Sequence, residues 1–339
     1  MHSVQLQLLL SLDPELHKKM ESSENNVTVL RDGLIFGIKD ESLDKPVIKI
    51  VNDKIAAIGN DALDSGQEVD CSGLIVCPGL VDLHTHLYKH STTLGVDPDH
   101  TCLGRGVTTA VDGGSAGAMT YQGLQKYIVE KSETRVLAFL HIACHGLAGA
   151  GRSGPEFGPG GECDHLNALK TNLCVNTIKE NKEVIVGVKV RLDKNITDDG
   201  RNEAEALKRA ISAGNLAGVP VMIHHTMSSL SLEEVLGSMR PGDIYTHTYS
   251  AWAGQGGSIV DRQARTVNHS VFKARDRGVI FDVGHGQGSF DWEVAEICAS
   301  CGFYPDTIST DLHSGNVDGA AKDLPWVMSK FLHLGLKSL

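Results

Sequence analysis

The stretch LIVCPGLVDLHTH, residues 74–86, decides how this chain is read. An apolar run meets Pro78-Gly79, and a second apolar run follows and ends in His84-Thr85-His86. Side chains alternate faces along a strand, so residues two apart point the same way. His84 and His86 therefore project together from one strand end. Two neutral imidazoles held in this way make half of a metal site. The pair fits equally well as two polar residues where a strand leaves the core. The rest of the chain must decide.

A chain of 339 residues can bury a large core. With 41% hydrophobic and 22% charged residues it is an ordinary globular mixture. The 31 basic and 42 acidic side chains give a net charge of −11, which weighs against non-specific binding to nucleic acid or to an anionic membrane. The eight cysteines follow no framework spacing and read as mostly reduced thiols, which suggests the cytoplasm. Residues 4–12 are apolar but too short to span a bilayer. They lack the basic flank and the cleavage site of a signal peptide. No other run is long enough for a membrane helix.

Residues 1–26 read as a leader with a short helix through His17-Lys18-Lys19 and poor order beyond it. Residues 27–73 read as a small β domain, a meander of short strands at VTVL, LIFGI, VIKIV, KIAAIG and Gln67–Asp70. Residues 74–339 then alternate β-type runs with helical periodicity. Strands are expected at 107–113, 136–143, 183–190, 219–225, 243–249, 278–284 and 305–311, with helices such as 201–217 and 291–301 between them. With the run before His84 this makes eight strand–helix units. The fold class is thus α/β, a TIM-type (β/α)8 barrel beside a small β domain. Gly-rich stretches at 146–161 and 253–258 are expected as loops over the barrel mouth or as plain connections.

Chemistry in a parallel barrel gathers at the C-terminal strand ends. Here those ends carry His84 and His86, Lys189, His224-His225, His247 and Asp311. A lone histidine at such a place is commonly just a satisfied polar residue; several at equivalent positions are hard to obtain by accident. Lys189 is the informative member, because a lysine at an inward strand end is costly unless paired. It either forms an ion pair, with Asp193 for example, or offers a deprotonated amine that takes up carbon dioxide.

On the stretches PGLVDLHTHLYKHSTTLGVDPD, GVTTAVDGGSAG, VGVKVRL, PVMIHHT, GDIYTHTYS, FDVGHGQGSF and PDTISTDLH the chain resembles the amidohydrolase superfamily of metal-dependent hydrolases. It is most similar to the dihydroorotase-like deacetylase branch. The resemblance runs from about Val27 to the C-terminus. It implies a metal-ligand set of His84, His86, a carboxylated Lys189, His224, His247 and Asp311. Neighbouring strand residues face opposite ways, so only one of His224 and His225 can ligate; the resemblance implies His224, the first histidine after the apolar run in the matching motif.

Nitrogen and carboxylate ligands without thiolate suit zinc, with manganese or iron as alternatives. Two such divalent ions would share and acidify a water, with Asp311 as general base and then general acid. The expected reaction is hydrolysis of an amide, or of an ester of similar shape. The resemblance implies a small acylated substrate of the N-acyl amino acid type. Cyclic amides of the dihydroorotase or hydantoinase kind are the alternative reaction, and a non-catalytic binding protein the alternative class. His285 is a candidate substrate contact or simply a loop histidine. Ser115, in the Gly113–Gly117 loop, belongs to a turn or to a carboxylate-binding backbone. Arg191 is a carboxylate ligand or a rim salt bridge. The superfamily adds a full last helix and further strands after strand eight, whereas this sequence stops at FLHLGLKSL. Exposed strand edges, poor solubility or dependence on another subunit, with a homo-oligomer possible, are expected.

Overall fold

The structure, a computed structural model, describes residues 27–36, 47–59, 66–147, 160–252 and 258–336. The expected leader helix lies outside the described residues, as do most of the two Gly-rich stretches. The chain divides into two compact units. One runs to Leu80 and takes in Gly104–Thr108; the other holds Val81–Leu103 and everything from Thr109.

In the smaller unit, β1 (Val27–Arg31), β3 (Val47–Val51) and β4 (Lys54–Gly59) pair antiparallel in sequence, but without LIFGI, the second strand of the expected meander, between the first two. The chain then departs from that pattern, because β5 (Gln67–Asp70) lies parallel to β1 on its other side. A separate parallel pair joins β2 (Leu34–Ile35) to β6 (Ile75–Val76). Leu30, Ile48, Ile50, Val69 and Cys71 are buried together as its core. Leu34 and Ile75, in the β2–β6 pair, stand 69% and 65% exposed.

The larger unit is built on a parallel sheet. Its strands are β7 (Leu80–Thr85), β8 (Val107–Gly117), β9 (Arg135–His141), β10 (Ile185–Leu192), β11 (Val221–His225) and β12 (Ile244–Thr246). A small antiparallel ribbon follows, β13 (Val260–Asp261) with β14 (Thr266–Val267), and then the seventh sheet strand, β15 (Ile280–Phe281). Spatial order follows chain order from β7 to β15, as strand–helix alternation requires. Among the helices between them, α1 (Glu203–Ala217) buries Ala206, Leu207, Ala210 and Ala213 at helical spacing. The next, α2 (Leu232–Ser238), begins in a capping box between Ser231 and Glu234. Later come α3 (Trp292–Ser300) and α4 (Leu324–His333). The expected helices at 201–217 and 291–301 are therefore present as α1 and α3.

The eighth strand expected at 305–311 does not form as a regular strand. The segment instead bridges both edges of the sheet. Asp306 N–H donates to the Phe281 carbonyl at 2.8 Å and Val283 N–H to that of Thr307 at 3.0 Å, while His86 N–H donates to Leu312 at 2.8 Å. Two causes are local. Asp311 sits at φ 48°, where a ladder cannot continue. The Thr307 and Ser309 hydroxyls both donate to the buried Asp282 carboxylate at 2.7 Å, so side chains supply part of the closure. The strand expected at 243–249 likewise stops at Thr246, because His247 turns to φ 62°. No helix among the described residues is long and apolar enough to cross a membrane. All eight cysteines are free thiols, including Cys298 and Cys301, which form a C-x-x-C pair at the end of α3.

Candidate metal centre

Several strand ends deliver polar side chains to a common point. From β7, His84 and His86 both face inward, with ring centroids 5.6 Å apart. Asp311, from the closing segment, places Oδ1 3.4 Å from His84 Nε2 and 3.1 Å from His86 Nε2. From β10, Lys189 Nζ lies 2.9 Å from His84 Nε2 and 3.3 Å from Met222 Sδ. The His247 ring centroid is 5.2 Å from that of His84 and 4.5 Å from that of His224. The six side chains read from the sequence thus form one cluster. One ligand atom from each of His84, His247 and Asp311 falls within 4.8 Å of the others. His225 points away, to the Tyr245 hydroxyl at 3.0 Å and the Leu230 carbonyl at 3.2 Å, as alternation along β11 requires.

Hydrogen bonds behind the imidazoles decide which nitrogen is bare. His247 Nδ1 lies 2.6 Å from the Gly284 carbonyl, which can only accept. The proton is therefore on Nδ1, and the buried Nε2 has no partner among the described residues. For His84 the chain of contacts is longer. Nδ1 lies 3.0 Å from Thr246 Oγ1, and that hydroxyl donates to Asp282 Oδ2 at 2.8 Å. With its hydrogen given to Asp282, the threonine oxygen accepts from Nδ1–H, and Nε2 keeps its lone pair. His86 Nδ1 meets Ser115 Oγ at 2.9 Å. His224 differs, since Thr226 Oγ1 takes its Nε2 at 2.6 Å and leaves Nδ1 for the cluster. Bare, oriented imidazole nitrogens backed by such partners are what a divalent cation of the zinc type requires. An unpartnered buried nitrogen at His247 fits a ligand better than it fits packing.

Burial sets the charges. It pushes the His84 and His224 pKa values well below the usual range and that of His247 down to about 4, so all three are neutral at pH 7. Burial also lowers Lys189 to about 7; Asp311 opposes the shift and Arg191 adds to it. For Asp311, burial acts upward, but the imidazoles of His84, His86 and His247 pull the other way wherever they carry a proton, and the carboxyl is held well below its usual value. An ionised carboxylate among neutral imidazoles, beside an amine that readily gives up its proton near pH 7, is a donor set for cations. Asp311 and His247 both occupy the left-handed backbone region, local strain that clusters at working sites.

The Gly113-Gly114 pair is explained by close approach. A Cβ on Gly113 would fall 2.3 Å from the His84 ring, and one on Gly114, at φ +92°, 2.5 Å from Lys189 Cβ. Two backbone donors at this end of β8 are already used, since Gly114 and Ser115 N–H groups both donate to Asp112 Oδ1. This corrects the expectation of a carboxylate-binding backbone here. Ser115 is fully buried and its hydroxyl orients His86, a different place from a substrate contact. His285 too is buried, with Nδ1 against Gly286 O at 2.9 Å, Nε2 against Lys330 Nζ at 2.6 Å and Phe290 stacked on its ring. Neither residue lines the open cleft of about 550 Å³ beside the cluster, whereas Arg191 and His224 do.

Sequence reasoning missed Thr246, Asp282, His141, Glu162 and His313. The His313 ring lies 6.4 Å from that of His86. Its position two residues after Asp311 was the available signal. The others carry no signal of their own, because only the fold brings them to the site.

A deacetylase of Agrobacterium fabrum is 34% identical to this chain over 285 residues, covering 84% of the chain and 67% of the relative. A deacetylase of Brucella anthropi is 32% identical over 303 residues, 89% and 72% of the two chains. A solved structure described as a dihydroorotase superposes with a TM-score of 0.79 at 32% identity, covering 91% of this chain and 78% of the other. No family model matches the chain. The chain belongs to the amidohydrolase superfamily, in its deacetylase branch. It is accordingly a metal-dependent hydrolase acting on carbon–nitrogen bonds.

Proposed function

We propose that this protein removes the acyl group from small N-acyl amino acids or closely related acylated carboxylates. The observation that carries this reading is the meeting of His84, His247 and Asp311 donor atoms within 4.8 Å, with Lys189 Nζ 2.9 Å from His84. The deacetylase names of the two relatives support the acyl class. In this reading His84, His86, His224, His247 and Asp311 hold two divalent ions, most simply zinc. Lys189 joins them as a carbamate. Its neutral amine attacks carbon dioxide, an N–C bond forms, and one proton is released. When bound, the metals acidify water and polarise the scissile carbonyl. Asp311 takes a proton from the attacking water on a carboxylate oxygen and returns it to the leaving nitrogen. Arg191, on the cleft wall, receives the substrate carboxylate. Eight free thiols support a reducing compartment, the cytoplasm. The small β unit, bounded at residue 73 in the sequence and reaching Leu80 with Gly104–Thr108 in the fold, and the barrel that holds the rest act as separate domains.

The test compares N-acetylalanine with dihydroorotate and hydantoin on zinc-loaded protein. Acetate release is expected to exceed ring opening by at least about a hundredfold in kcat/KM. Faster ring opening would replace this reading with the cyclic-amide one.

A further inference from the structure

We infer that Glu162 is a positioning residue, which together with His141 holds the Arg191 guanidinium as the anchor for a substrate carboxylate; this rests on the deacylase reading above. The Glu162 side chain has no exposed surface, and neither of its oxygens has a hydrogen-bond partner among the described residues. A buried carboxylate left so is costly unless cations or donors face it. Two groups do, both at Oε1. Arg191 Nη1 approaches to 3.3 Å and His141 Nε2 to 3.6 Å. His141 Nδ1 accepts the Ala143 N–H at 3.0 Å, so the ring proton sits on Nε2 and faces Glu162. The pairing with Glu162 is thus buried, deeper than the rim salt bridge the sequence suggested.

Arg191 has a second side. Its side chain is 21% exposed, Glu162 is its one partner among the described residues, and it is the one permanent cation among those lining the cleft. Asp193, also in the cleft wall, is occupied by Asn195, whose backbone N–H and side chain both donate at 2.8 Å. Lys189 and Arg191 stand two apart on β10 and share a face, about 6.6 Å apart along the strand. An anion on Arg191 therefore lies within a few bonds of a carbonyl held at the Lys189 cluster. In an N-acyl α-amino acid three bonds separate the acyl and carboxyl carbons. Holding the guanidinium from behind keeps it from folding away to solvent, so binding does not have to order it.

The experiment measures binding of N-acetylalanine and of its neutral carboxamide to zinc-loaded Asp311→Asn protein, alone and combined with Arg191→Met, Glu162→Gln or Glu162→Asp. The acid is expected to bind at least about tenfold more tightly than the carboxamide, the worth of a charge-assisted hydrogen bond. The preference should vanish with Arg191→Met and fall severalfold with Glu162→Gln. The carboxamide should bind alike throughout. Should Glu162→Gln fail to fold, Glu162→Asp, which withdraws the charge by one methylene, is read in the same way. An undiminished preference in the Arg191→Met protein overturns the proposal. So does equal weakening of both ligands in the Glu162 variants, the mark of a merely structural role, or failure of the acid to bind. If the unsubstituted protein hydrolyses no N-acyl amino acid while the Asp311→Asn protein still prefers the acid, the deacylase reading fails and the subsite stands.

Discussion

Asp311→Asn is expected to lower kcat by at least about a thousandfold, with KM changed little, while bound zinc stays near the level of the unsubstituted protein. A general base is worth roughly 10²–10⁴ in rate, and a charged oxygen is lost from the metal set as well. The amide is isosteric. It keeps an oxygen within reach of His84 and His86, which lie 3.4 and 3.1 Å from Oδ1, and it leaves the other five side chains in place. What it cannot do is accept and return a proton. A drop in kcat with KM preserved marks a group that works in the transition state rather than in binding. Full activity in this variant would refute the assignment. Steady-state kinetics and elemental analysis on one preparation make the measurement.

Lys189→Met should remove at least one metal ion per chain and about a thousandfold or more of the activity. Methionine has nearly the same length and suits a buried site, so the fold should survive the exchange. Metal-free protein provides a second readout. The Lys189 pKa falls from 10.5 in the unfolded chain to about 7 in the folded one. Between those values the unfolded state binds more protons, so the stability of the metal-free protein rises with pH from about 7 to about 10.5 and is flat in this respect outside that window. The span corresponds to a gain on the order of 5 kcal/mol, at 1.36 kcal/mol per pKa unit. Urea unfolding at several pH values should show this slope in the metal-free parent and its loss in Lys189→Met. A parent whose stability does not rise across that window would contradict the burial of an uncharged amine.

The clustered side chains proposed as ligands were legible in the sequence through the resemblance and through their place at strand ends, where alternation decides which side chains share a face. That His84 and His86 share a face, and that only one of His224 and His225 can join them, follow from that rule; the choice of His224 rests on the resemblance, and the fold turns His224 towards His247 and His225 away. The residues that aim those ligands were not legible. Thr246 and Asp282 look like ordinary polar residues until β12 and β15 bring them behind His84. Glu162 lies just past a Gly-rich stretch with no periodicity to mark it. The regular eighth strand was over-read for the opposite reason. Its composition is β-like, but the left-handed turn at Asp311 and the hydroxyl contacts to Asp282 are tertiary features that no local pattern carries. Ser115 and His285 were singled out for their neighbours in sequence, and packing gave both a supporting place.

The central claim is that six side chains, distant along the chain, hold a pair of cations. An anomalous difference map at the zinc edge, from crystals of zinc-loaded protein, tests it most directly. Two peaks are predicted, both within bonding reach of the cluster formed by His84, His86, His224, His247 and Asp311, with continuous density extending beyond Lys189 Nζ between them. A map with no peak at that cluster, or with Lys189 ending at its amine against His84, would contradict it.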